Sequence, residues 1–311
     1  EEIEAVGGHV NAYTSREQTA YYVKVLKKDV GLGVDILADI LQNSVFSNKE
    51  LVRERRVVLQ EIAQTNDTPD DIIFDQFQEV AFPNQPLGRS ILGPVDQVSE
   101  YSRDTLENYM SRHYSASRMV IVGAGNLDPV LFEETVRKKF NEISGLERCK
   151  TDPATYIGGE VRSEKDLEQA HIIVGFEGLK YEDPDFYAMQ ILSMLLGGGM
   201  SSRLFQEVRE KRGLAYSILS FTTPYADTGI FGVYCGTAPD KLQELMPVLS
   251  DEMNEVIDGV THDELARAIA QIKSGIPMSQ LEFIRPQDLG LKNGLFNETG
   301  TDEFNDLILN G

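Results

Sequence analysis

The chain has 311 residues, 29 of them basic and 50 acidic, for a formal net charge of −21, and only two cysteines. A surface of that sign repels nucleic acid and favours basic partners. The length suffices for two domains, each with its own core, and no apolar run approaches the ~18 residues of a membrane span.

Cys149 and Cys235 are far apart and fit reduced thiols of a cytoplasmic protein, with one disulfide left open. In chain order, EEIEAVGG at 1–8 reads as the middle of a helix running into a Gly-Gly turn, with no start signal or N-cap before it. Two short runs rich in β-branched and aromatic residues follow, separated by TSREQ at 14–18, and predict two strands.

The run SNKELVRERRVVLQEIAQ at 47–64 predicts a helix. Glu54 and Glu61 are seven residues apart in it, so at ~100° per residue their carboxylates fall ~20° apart on one face. Leu51, Val58 and Ile62 lie beside that face, which predicts two acids bordering an apolar stripe. One such carboxylate suits a metal and the other a supporting or proton-handling role. On spacing alone the ordinary reading is a charged helix with its acids in water, answered by Arg53, Arg55 and Arg56.

NDTPDDIIFDQFQEV at 66–80 predicts a second helix, with Asp71 and Asp75 one turn apart. Such a pair suits a guanidinium, whose planar fork takes bidentate hydrogen bonds. It also suits an acidic first turn complementing the helix dipole after Thr68 and Pro69.

MVIVGAG at 119–125 predicts a buried strand closing a first unit, followed by a helix over 129–143. The polar stretch from Ser144 to Glu160 reads as a linker. A strand opening at His171 and a glycine-ended helix over 184–198 begin a second unit. The three glycines at 197–199 lack the surroundings of a phosphate loop and predict a close turn instead.

A faint internal repeat relates strand, turn and amphipathic helix at 21–41 to the same order at 231–253; each is followed by an acid-started helix, at 48–63 and 261–275. The second copy has Ala268 and Gln271 near where the first has its carboxylates, so only the first half is expected to bind metal. Pro277 and Pro286 predict a broken helix near the end, and 293–311 offers no closing strand.

Three segments, 3–26, 47–64 and LLGGGMSSRLFQEVREKRGLAYSILSF at 195–221, together resemble the pitrilysin/insulinase-type zinc metallopeptidases. The similarity is to the bacterial branch related to the mitochondrial processing peptidase, and it runs from Glu1 to about Ile272. It implies an α+β fold of two homologous domains, each a mainly antiparallel sheet packed with helices, together one half of a clamshell.

The boundaries expected are 1–145 for the metal-site domain, 146–165 for the linker and 166–311 for an incomplete second domain. By the same resemblance Glu61 matches a zinc ligand and Glu54 an assisting acid. Asn11, Ala12, Tyr13 and Thr14 match the strand edge on which an extended peptide adds as a further strand. Arg209 and Tyr216 match the pair that reaches the substrate from the second domain, and Asp71 and Asp75 match acids that grip a substrate arginine.

The departure concerns the metal. The family binds Zn²⁺ through H-x-x-E-H, whereas here His9, His113, His171 and His262 are too far apart for an i, i+4 imidazole pair. His9 reads as a turn or surface residue, and none of the four suits a metal site. The expectation is a chain beginning after the metal helix, inactive alone. The parent would be a zinc metalloendopeptidase cutting extended, basic peptides, as a homodimer or with a homologous subunit. The alternative is a catalytically silent peptide-binding or scaffold subunit of the same family.

Overall fold

The computed structural model describes residues 1–143 and 152–282, and Cys149, Pro286 and the 293–311 stretch lie outside them. The first half begins with helix α1 (Glu2–Ala5) and the antiparallel hairpin β1 (His9–Thr14) and β2 (Thr19–Lys24). Helices α2 (Val30–Gln42), α3 (Asn48–Asp67), α4 (Pro69–Ala81), α5 (Val95–Glu100), α6 (Arg103–His113) and α7 (Pro129–Lys139) follow. The second half contains β3 (Ala170–Glu177), α8 (Phe186–Gly197), β4 (Ala215–Pro224), β5 (Gly229–Thr237), α9 (Leu242–Asp258) and α10 (His262–Glu282). Its antiparallel sheet has the order β3-β5-β4.

Local chemistry explains the starts of the first-half helices. Ser47 caps α3 by accepting the Glu50 N–H at 3.3 Å. Pro69, whose missing N–H costs nothing at a first helical position, opens α4. Asp128 accepts the N–H groups of Val130 and Leu131 at the head of α7. The repeat expected from sequence is visible in element order: a hairpin, one 3₁₀ turn, then two helices occur as β1, β2, α2, α3 and again as β4, β5, α9, α10.

The larger core lies in the second half, where Leu204, Val208, Leu214 and Ile218 pack with Val233, Cys235, Leu245 and Leu249. A second cluster joins Ala81 and Phe82, at the end of α4, to Tyr225 and Ile230 on the β4–β5 hairpin. Helix α4 lies on the three-stranded sheet, with the Phe74 ring 5.3 Å from Phe221 and 5.5 Å from Tyr234, centroid to centroid. Gly175 permits this approach, because a Cβ there would meet the Phe77 ring at 2.2 Å.

Two expectations are corrected, one at 119–124 and one in α10. Residues 119–124 form no strand, and Val120 and Val122 are 87% and 78% exposed. An apolar run becomes a strand only with a ladder partner, and among the described residues the first-half sheet holds only β1 and β2. Glu54 and Glu61 lie as expected beside an apolar stripe of Leu51, Val58 and Ile62, through which, with Arg55, α3 packs on α4 and α5, and both are exposed, as in a charged helix with its acids in water. The backbone of α10 continues through Pro277 to Glu282, so that proline does not end the helix.

Candidate functional site

The β1 edge can be derived from its turn. Ser15 N–H bonds the Gln18 carbonyl at 2.7 Å and the Gln18 N–H bonds Ser15 Oγ at 3.2 Å, so Ser15 and Gln18 close the turn around Arg16 and Glu17 at a bonded position of the ladder. Antiparallel pairs alternate between bonded and non-bonded. With Tyr13 opposite Ala20 and Ala12 opposite Tyr21, the main-chain groups of Tyr13 face β2, whereas those of Val10, Ala12 and Thr14 face away from it. The Ala12 N–H is satisfied instead by its neighbour's side chain, Asn11 Oδ1, at 2.8 Å. Every residue of β1 is exposed, so Asn11 to Thr14 present a strand edge held only from one side among the described residues.

In the second half, a π-helix over Phe205–Lys211 carries Arg209. Its wide turn runs into Gly213, at φ +60°, and the Leu214 N–H returns to the Val208 carbonyl at 2.8 Å. Strand β4 then begins, with Tyr216 projecting at 73% exposure. The Arg209 guanidinium carbon stands 4.8 Å from the Phe205 ring centroid and 5.1 Å from that of Tyr216. The structure therefore brings Arg209 and Tyr216 together. Phe205 and the π-helix gave no sequence signal, since a π-turn differs from an α-turn only in backbone geometry.

Asp71 and Asp75 share α4 but differ in surroundings. Asp71 is exposed in the first turn. Asp75 accepts from Arg16 Nη2 at 2.9 Å and from the Ser90 hydroxyl at 2.7 Å, so its carboxylate is already taken by a guanidinium of this chain. Sequence reading missed Arg16, because its partner is distant along the chain and no local pattern signals it.

The model of the insulinase family, described as "Insulinase (Peptidase family M16)", matches residues 1–95, and "Peptidase M16 inactive domain" matches 100–272. The chain belongs to the M16 family. Among M16 relatives, an uncharacterized zinc protease of Rickettsia bellii is 39% identical over 313 residues, covering 100% of this chain and 76% of its own length. A probable mitochondrial-processing peptidase subunit beta of Arabidopsis thaliana is 40% identical over 89% of this chain, which spans 55% of that protein. A protease from Helicobacter pylori shares the fold, with a TM-score of 0.80 at 20% identity, over 89% of this chain and 69% of that one.

Zinc is the metal in the name of the Rickettsia bellii relative. Among the described residues, no group of three or more His, Cys, Asp or Glu is placed to hold a metal ion. The imidazoles are also engaged or scattered. His171 Nδ1 lies 2.8 Å from the Tyr234 hydroxyl, the His113 ring packs at a 34° tilt against Tyr109 with centroids 4.5 Å apart, and His9 and His262 start β1 and α10. Taken alone, these side chains do not fit a four-coordinate zinc centre. No helix among the described residues is long and apolar enough to cross a membrane.

Proposed function

We propose that the chain is the peptide-holding part of a zinc-dependent metalloendopeptidase that acts on extended, basic peptides. The observation that carries this reading is the outward Ala12 N–H on an exposed strand edge, held for the present by Asn11 Oδ1. A peptide adding antiparallel to β1 replaces that local bond with a ladder through Val10, Ala12 and Thr14. Its main chain supplies affinity, and its side-chain identity matters less. The charge of −21 favours basic sequences.

Under this reading the first domain covers 1–145, the linker 146–165 and the second domain 166–311. Glu61 is the carboxylate ligand for zinc and Glu54 the assisting acid, both reachable on the exposed face of α3. Arg209 and Tyr216 contact the reacting carbonyl from the second half, where a guanidinium and a phenol suit developing negative charge. The partner is a second copy or a homologous subunit.

A second reading, a catalytically silent peptide-binding subunit, is favoured by the lack of a metal-ligand group among the described residues. One pair of measurements separates the two. Fluorescence anisotropy of this chain with a labelled arginine-containing peptide reports binding, and mass spectrometry of the peptide after incubation with zinc and a longer protein containing this chain reports cleavage. Binding blocked by Ala12→Pro supports the edge in either reading; turnover selects the peptidase, and absence of binding rejects both.

A further inference from the structure

The β1–β2 turn is made of Arg16 and Glu17, and each reaches a different part of the molecule. The Arg16 guanidinium donates to Asp75 on α4 at 2.9 Å, to the Leu87 carbonyl at 3.4 Å and to the Arg89 carbonyl. Its side chain is only 14% exposed. The Glu17 carboxylate accepts the Ala226 N–H, with its two oxygens at 2.9 and 3.1 Å. Ala226 lies in the β4–β5 turn, which is closed by Tyr225 N–H on the Thr228 carbonyl at 2.8 Å.

These contacts form a closed circuit. The Tyr225 hydroxyl donates to Gln78 Oε1 at 3.0 Å, and Gln78 Nε2 donates to the Leu87 carbonyl at 3.1 Å. That carbonyl is one of those Arg16 reaches. Gln78 and Tyr225 are both buried, so the circuit rests on a fixed base. Burial raises the Tyr225 phenol above its ordinary value, and Arg16 and Glu17 act on it in opposite senses, as groups close to it must.

We propose that Arg16 and Glu17 are positioning residues: they clasp the tip of the peptide-accepting hairpin to α4 and to the tip of the β4–β5 hairpin, fixing β1 relative to Arg209 and Tyr216. The proposal rests on the reading of β1 as the peptide edge. The six residues of β1 are all exposed, so little burial of its own holds this strand, and its placement comes through the β2 ladder and the turn.

Leverage makes the clasp matter. Tyr216 stands at the start of β4 and the clasp at its far end, about 26 Å away at ~3.3 Å per residue. A swing of ~10° about the clasp therefore moves the ring by roughly 4–5 Å relative to β1. Misplacement by ~1 Å is already enough to cost on the order of 10²-fold in rate at a reacting centre.

The test measures distance and binding separately. Spin labels on His9→Cys and Leu219→Cys, in a Cys149→Ser background, report the separation of β1 from β4 by pulsed electron paramagnetic resonance. Buried Cys235, its thiol pushed up to about 12, stays unlabelled. The clasp gives one narrow distance distribution. Arg16→Ala and Glu17→Ala each widen it at least twofold and weaken binding of the arginine peptide about tenfold, with Arg16→Lys in between. Glu17 is exposed, and surface substitutions of this kind leave folding nearly unchanged.

An unchanged distribution in Glu17→Ala and Arg16→Lys overturns the clasp. A widened distribution with unchanged peptide affinity overturns the positioning role. A wild-type chain that takes up no peptide removes the edge reading instead, and the distance measurement still decides the clasp.

Discussion

The guanidinium carbon of Arg209 lies 5.1 Å from the centre of the Tyr216 ring, in reach of a cation–π interaction. Phe205 holds the same guanidinium from another side at 4.8 Å. The arginine is therefore held on two rings, and the exposed Tyr216 ring has a cation as its neighbour.

This arrangement separates the two side chains by experiment. Tyr216→Phe keeps the ring and its hold on Arg209 and removes only the hydroxyl. In an active protein containing this chain, kcat/KM is expected to fall about 10-fold for Tyr216→Phe and about 10²-fold for Arg209→Ala, the scale of a lost oxyanion donor. Tyr216→Ala should fall further than Tyr216→Phe, because it also removes one of the two rings that hold the guanidinium. Steady-state kinetics on the three variants decide the matter; wild-type kcat/KM in Arg209→Ala removes the pair from the site.

The chain alone is expected to hold zinc poorly. One or two exposed carboxylates on α3 cannot replace an imidazole pair in a tetrahedral site. After dialysis against metal-free buffer, plasma emission spectrometry should find less than roughly 0.1 zinc per chain, because a ligand set this incomplete gives little affinity. Stoichiometric zinc that survives dialysis and falls in Glu61→Gln would reveal a ligand set that the described residues do not show.

Asp71 and Asp75 should part company. Asp75 is part-buried and bonded to Arg16 and Ser90, so Asp75→Ala should cost about 1–2 kcal/mol, a fall of roughly 2–8 °C in Tm. Asp71 is exposed, so Asp71→Asn should leave Tm nearly unchanged and raise Kd only for peptides carrying arginine. Calorimetry and anisotropy on the same two variants check both halves; the opposite pattern would return Asp75 to the substrate.

Much of this was legible because local chemistry decided it. The hairpin followed from two β-rich runs around a polar turn, α3 from carboxylates spaced along an apolar stripe, α4 from an acidic first turn after Thr68 and Pro69, and the repeat from matching element order. What was not legible depends on distant partners. Val120 to Val122 carry strand-forming side chains, yet no described strand pairs with them. Arg16 and Glu17 looked like ordinary turn residues, and their roles come from Asp75 and Ala226, which only the tertiary fold brings near. The spacing of Glu54 and Glu61 gave their shared face but left two readings of its role open, because its surroundings are set by where α4 and α5 pack.

Two acids near Arg203 should titrate stability in opposite senses. Glu264 takes Arg203 Nε and Nη2 at 2.7 and 3.0 Å and the Thr261 N–H and hydroxyl at 2.9 and 2.7 Å, and its carboxyl is held down to about 2. A folded value below the ordinary 4.5 means stability present above pH 4.5 and lost as pH falls towards 2. Glu252 is 7% exposed, and burial pushes its carboxyl up, with Glu255 and Glu207 adding to the shift and Arg203 and Lys211 opposing it. Its charge is thus a cost that appears as pH rises above 4.5 through its folded value. Calorimetry should find Glu264→Gln less stable than wild type at pH 7, with the gap closing towards pH 2. Glu252→Gln should be more stable than wild type at pH 7 and equal to it at pH 4 and below, by about 2–4 °C for each kcal/mol regained. A Glu252→Gln protein that melts lower than wild type at pH 7 would mean that the carboxylate is held in place by a favourable partner, against the raised value.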